Sequence, residues 1–143
     1  MSTPQYSATA TAWGGRDGKV TSTDGRIDLQ LSVPKALGGD DGPGTNPEQM
    51  FAAGYAACFH SALKAVARAQ HVDLAESAVS VTIGLGGNLT AGFKLDARIE
   101  AQLPGVAPET AHTLLEAAQQ ACPYSRATRG NINQQVVLVD DDD

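Results

Sequence analysis

The sequence predicts an α+β fold built from an antiparallel sheet, a buried central helix and a second helix. Three observations carry that expectation. Four segments alternate apolar and polar residues with period two, the pattern of half-buried antiparallel strands. Two helical segments interrupt them, giving a strands–helix–strands–helix–strand order. One of those helices is apolar nearly all round, so it belongs in the middle of something.

The first strand places Tyr6, Ala8, Ala10 and Ala12 on one face. A short strand near Lys19 to Ser22 fits between two turns, Gly14 to Gly18 and Asp24-Gly25. In the next, Ile27, Leu29, Leu31 and Val33 alternate with Asp28, Gln30 and Ser32. The first helix opens with Asn46 as N-cap, Pro47 at the first helical position and Gln49 three residues after the cap. It runs to about Gln70. From Met50 to Val66 it is almost wholly apolar, and Ala52, Ala53, Gly54, Ala56, Ala57 and Ala62 leave room for close backbone approach.

After that helix, Val79, Val81, Ile83 and Leu85 share one strand face, and Gly86-Gly87-Asn88 reads as the following turn. The longest strand runs from Phe93 through Leu95, Ala97, Ile99 and Ala101 to Leu103, with Lys94, Asp96, Arg98, Glu100 and Gln102 outward. The second helix begins near Pro108-Glu109, carries Leu114, Leu115 and Ala118, and ends before Pro123. Val136 to Val139 form a final, more buried strand. A helix buried on every side is hard to cover within 143 residues. A homodimer is therefore expected, each central helix shielded by the partner.

Composition bounds the function. At 143 residues the chain fits one domain, spanning 1–143. With 42% apolar and only 18% charged residues it is no disordered segment. The net charge is −6, and setting aside the acidic tail Asp140 to Asp143, read as a solvated end, leaves −2. No basic stripe for nucleic acid is present. The N-terminus reads as no secretory signal, and the weakly polar stretch Met50 to Phe59 falls short of the ~20 residues a membrane helix needs. A cytoplasmic protein without membrane insertion is expected.

Two cysteines are too few for a disulfide scaffold, which leaves inert burial or redox chemistry. Cys58 lies midway along the apolar helix. Cys122 precedes Pro123 at a helix end, where side chains become accessible. Free cysteines are also among the most buried residue types, so both readings stand at this point. Arg16, in Gly14-Gly15-Arg16-Asp17-Gly18, suits a solvated turn, and Glu48 complements the positive end of its helix. The histidines suggest no metal site. Cys58 and His60 fall on different sides of a helix, and His71 and His112 complete no tetrahedral spacing.

The segment Thr45-Asn46-Pro47-Glu48-Gln49, followed by Phe51-Ala52-Ala53-Gly54-Tyr55-Ala56-Ala57-Cys58-Phe59, resembles the first cysteine motif of the organic hydroperoxide resistance (Ohr) proteins. These are a branch of the Ohr/OsmC superfamily of thiol peroxidases. Ala121-Cys122-Pro123-Tyr124-Ser125-Arg126-Ala127-Thr128-Arg129-Gly130-Asn131-Ile132 resembles the second, and Gly14 to Gly18 the family's arginine loop. The resemblance implies an intertwined α+β homodimer. It makes Cys58 the peroxidatic thiol and Cys122 the resolving thiol, with Arg16 and Glu48 orienting and activating Cys58. Organic and fatty-acid hydroperoxides become the expected substrates. No bound cofactor is implied, and dihydrolipoyl groups, as dihydrolipoamide or on lipoylated proteins, become the expected reductant.

Under that resemblance, a depressed thiol pKa cannot be the whole mechanism. Lowering a cysteine from ~8.5 to ~6 raises its thiolate fraction about 13-fold at pH 7.4, and the matching loss of nucleophilicity nearly cancels this. Cys58 is also twelve residues past the N-cap, beyond the reach of the helix dipole. Arg16 is then the candidate for holding thiolate and peroxide oxygens together, with Glu48 fixing its guanidinium. Ten residues of straight helix span about 15 Å, so Glu48 cannot reach Cys58 along its own helix. Arg16 bridges the gap, the helix breaks, or, as we favour, Arg16 and Glu48 serve the Cys58 of the opposite chain. An apolar pocket for alkyl chains is expected from Met50, Phe51, Phe93 and Tyr124. Two alternatives remain: a sister OsmC-type peroxidase, and a redox sensor or lipid-binding module that forms the disulfide without turnover.

Overall fold

The computed structural model describes residues 3–139, so the acidic tail lies outside the described residues. Contacts gather into two units, one ending at Met50 and the other beginning at Phe51. The first holds a three-stranded antiparallel sheet, β1 (Ala10–Trp13), β2 (Lys19–Ser22) and β3 (Asp28–Gln30), in that order. Its second strand is the one expected. β1 starts four residues later than the alternation from Tyr6 suggests, because its partner ends at Ser22, opposite Ala10, and turns at Asp24-Gly25. β3 is also shorter. Beyond Gln30 the chain pairs with the segment before the helix instead: Leu31 bridges Thr45, and the Ser32 amide donates to the Thr45 carbonyl. Trp13, Ile27 and Leu29 are left exposed.

Between β1 and β2 the glycine-rich turn winds into one 3-10 turn, Gly15–Asp17. Gly14 stands at φ 82°, where a side chain is strained, and a Cβ at Gly18 would run into the Trp13 carbonyl oxygen. The glycines therefore shape a loop that a bulkier sequence could not close, and that loop carries Arg16.

The long helix α1 is Pro47–Ala69. Its start is as the sequence specifies, the Asn46 Oδ1 accepting from the Gln49 amide at 2.9 Å. The Gln49 side chain turns away from the cap and accepts from the Thr45 hydroxyl. No helix is long and apolar enough to cross a membrane among the described residues.

The second unit holds β4 (Ala78–Asn88) and β5 (Gly92–Gln102) as an antiparallel hairpin, with β6 (Asn133–Val139) beside β5. β6 runs parallel to β5, so this sheet is mixed where an antiparallel one was expected. The hairpin turn also sits later than Gly86-Gly87-Asn88. Those residues still pair across the ladder, and Leu89 to Ala91 make the turn, closed by the Asn88 side chain accepting from the Ala91 amide.

Two further helices follow β5: α2 (Pro108–Ala121) and, directly after Cys122, α3 (Pro123–Thr128). The core joins Tyr55, Phe59, Leu63 and Ala67 of α1 to Leu114, Leu115 and Ala118 of α2 and to Ala97, Ile99 and Ala101 of β5. Thus α1 is buried along one i, i+4 stripe rather than on all sides. Ala53, Ala57, Ser61 and Ala65 are exposed, because one sheet and one helix layer cover a single side of it.

Candidate active site

The first unit joins two of the expected site residues. Arg16 Nη1 and Nη2 donate to the two carboxylate oxygens of Glu48 at 2.7 and 2.8 Å. This is the planar, bidentate fork that a lysine cannot reproduce. The bonds hold the Glu48 carboxyl below the usual carboxylate range and Arg16 above its ordinary value. Each residue alone had a bland explanation, a turn charge or a dipole partner. Together they form a built ion pair, half-buried on both sides.

The second unit joins the two thiols. The Cys122 thiol donates to the Cys58 sulfur at 3.7 Å, and the two remain free cysteines. Their exposures differ: Cys58 is half-buried, whereas Cys122 is fully buried. The accessible helix end expected for Cys122 is corrected by α3, which begins at Pro123 and closes over it. Cys122 caps that short helix, its sulfur accepting from the Ser125 amide at 3.5 Å. Burial pushes the Cys58 thiol up, with the Tyr124 backbone amide opposing it. Within this unit no cation lowers it.

Beside the thiols lies a triangle of rings. Phe51, Tyr55 and Tyr124 stand with centroids 5.7 to 5.9 Å apart. Gly54 makes room for one of them, since a Cβ there would come within 3.2 Å of the Tyr124 hydroxyl. Phe51 and Tyr124 thus come together. Phe93 does not join them: it is 59% exposed near the β4–β5 turn, paired across the ladder with Gly87. Met50, in the first turns of α1, is half-buried. Among the described residues no group of three His, Cys, Asp or Glu side chains could hold a metal.

The model of the family of OsmC-like proteins matches residues 38–137. The chain belongs to the OsmC-like family. An organic hydroperoxide resistance protein of Xanthomonas axonopodis pv. citri is 45% identical over 142 residues, covering 96% of this chain and 99% of its own. The crystal structure of an organic hydroperoxide resistance protein from Elizabethkingia anophelis superposes with a TM-score of 0.91 at 42% identity, over 96% of this chain and 99% of that one. A structure from Vibrio cholerae with captopril bound in one of the active sites superposes at 0.89 with 46% identity, over 95% and 93%. Within the OsmC-like family, the chain stands in the organic hydroperoxide resistance branch.

The candidate residues thus meet as two pairs, one of charges in the first unit and one of sulfurs in the second. The Tyr55 hydroxyl carries no signal in the sequence by itself, because a tyrosine inside an apolar helix reads as core. It is buried and bonded to Ser125 Oγ at 2.8 Å and Thr128 Oγ1 at 3.3 Å. The available signal was spacing: Tyr55 precedes Cys58 by three residues, and Ser125 follows Cys122 by three.

Proposed function

We propose that the chain is a cysteine-based peroxidase that reduces organic hydroperoxides to alcohols. The observation that carries this reading is the thiol pair, one sulfur half-buried and the other wholly buried 3.7 Å away. The Cys58 thiolate attacks the terminal oxygen of the hydroperoxide, the O–O bond breaks, and the alkoxide leaves as the alcohol after taking a proton. Cys58 is then a sulfenic acid. Cys122 attacks its sulfur, the S–O bond breaks, water leaves with the thiol proton, and the Cys58–Cys122 disulfide remains. A dithiol of the dihydrolipoyl class, free or carried on a lipoylated protein, exchanges twice with the disulfide and restores both thiols.

Arg16 supplies what burial denies Cys58. Its guanidinium, fixed by Glu48, favours the thiolate and meets the negative charge moving to the leaving oxygen. Because α1 runs unbroken from Pro47 to Ala69, no break brings Glu48 back along its own helix toward Cys58. We assign Arg16 and Glu48 to the Cys58 of a second copy in a homodimer. The exposed small-residue side of α1 and the exposed Trp13, Ile27 and Leu29 support that assembly. Phe51 and Tyr124, with Met50 nearby in sequence, supply apolar surface for the alkyl part of the peroxide. Captopril, a small organic thiol, occupies one of the active sites of the Vibrio cholerae relative. That supports a site open to a thiol reductant.

Sustained consumption of cumene hydroperoxide with dihydrolipoamide, lost in Cys58→Ser, is the expected result. One equivalent consumed per chain and no more would indicate a sensor that forms the disulfide without turnover. No consumption would contradict the peroxidase reading.

A further inference from the structure

We propose that the Tyr55 hydroxyl is a positioning group for disulfide formation, fixing α3 against α1 and so setting the approach of Cys122 to an oxidised Cys58. This rests on the peroxidase reading above. Tyr55 and Cys58 stand three residues apart on α1, one turn along the same face. Cys122 and Ser125 stand three apart at the start of α3. The two pairs face each other rung by rung: sulfur to sulfur at 3.7 Å, hydroxyl to hydroxyl at 2.8 Å.

The hydroxyl rung is built, not incidental. A buried hydroxyl costs free energy unless bonded, and a phenylalanine ring would pack against Phe51 and Tyr124 without that cost. Tyr55 instead meets Ser125 Oγ and Thr128 Oγ1, both from α3 and both buried. Gln134 of β6 donates to Thr128 Oγ1 at 2.9 Å, and its Oε1 accepts from the Tyr55 hydroxyl at 3.5 Å. A helix of six residues has little stability of its own, so α3 stays in place through such anchors. Cys122 depends on them, because it joins α2 to α3 with an extended backbone, φ −70° and ψ 121°.

The chemistry needs that control. A disulfide has its sulfurs at ~2.05 Å, so the 3.7 Å contact must shorten when Cys58 is oxidised. With α3 anchored, side-chain rotation closes the gap. Without the anchor, α3 drifts and the sulfenic acid waits.

Tyr55→Phe keeps the ring and removes the oxygen. Reduced protein is mixed with one equivalent of cumene hydroperoxide, quenched with dimedone at intervals and weighed intact. We expect Cys58 to be oxidised at the wild-type rate, disulfide closure to slow about tenfold and the dimedone adduct of the sulfenic acid to accumulate. Ser125→Ala, which removes the bond from the other side, carries the same expectation should Tyr55→Phe fail to fold. Closure at the wild-type rate, or equal slowing of both steps, would overturn the proposal and leave the peroxidase reading intact. A wild-type protein that forms no disulfide would overturn both.

Discussion

Arg16 and Glu48 are 32 positions apart in sequence and meet through two parallel hydrogen bonds of 2.7 and 2.8 Å. A bidentate pair of this kind fixes the plane of the guanidinium as well as its position, so its remaining N–H groups are held in that plane. Lysine offers one ammonium that cannot hold such a plane. Arg16→Lys should therefore keep the charge yet lose about 10- to 100-fold in kcat/KM for an organic hydroperoxide. Unchanged turnover would remove Arg16 from the mechanism.

The titration of Cys58 tests the same residue from the other side. Burial raises its pKa against the opposing Tyr124 amide, and in the proposed mechanism the positive charge of Arg16 lowers it. In Arg16→Ala the rate of Cys58 alkylation should rise with a midpoint above that of a free cysteine, ~8.5. With Arg16 present the midpoint should be lower. Equal midpoints in the two proteins would show that the guanidinium does not act on this thiol.

Glu48 gives a stability signature in acid. Its carboxyl is lowered first by the Arg16 hydrogen bonds, with burial acting in opposition. A lowered carboxyl stabilises the fold above its unfolded value of ~4.3, and that contribution is lost as pH falls through the lower folded value. Thermal unfolding of wild type and Glu48→Gln at one protein concentration should differ by a constant amount from pH 8 to about 5 and converge below about 4. Convergence between pH 8 and 6 would contradict the assigned ion pair.

What is legible in the sequence follows the range of the interaction involved. Asn46, Pro47 and the period-two runs of β4 and β5 declare themselves, because caps and alternation are local. Short range also has limits. Tyr6 and Ala8 alternate as a strand would, yet β2 turns away at Asp24-Gly25 before it could pair with them. The parallel placement of β6 depends on a path through two helices. At the site, the cysteines were visible as candidates, whereas the burial of Cys122 depends on α3 folding over it. The link from Tyr55 to Ser125 joins positions 70 apart, and no local pattern announces it.

If Arg16 and Glu48 serve the opposite chain, two damaged protomers can complement each other. Mixed dimers of Cys58→Ser and Arg16→Ala contain one intact combination, an undamaged Cys58 facing an undamaged Arg16. They should recover up to about half of the wild-type rate, measured on purified heterodimers carrying different tags. Verified heterodimers with no activity would place the pair in the same chain as the thiol it serves.

Whether Cys58 and Cys122 form one redox unit is read from intact mass. Reduced protein receives one equivalent of an organic hydroperoxide, with no reductant present. Rapid loss of two hydrogens per chain, absent in Cys58→Ser, is expected. An unchanged mass, or slow gain of oxygen without loss of hydrogen, would contradict it.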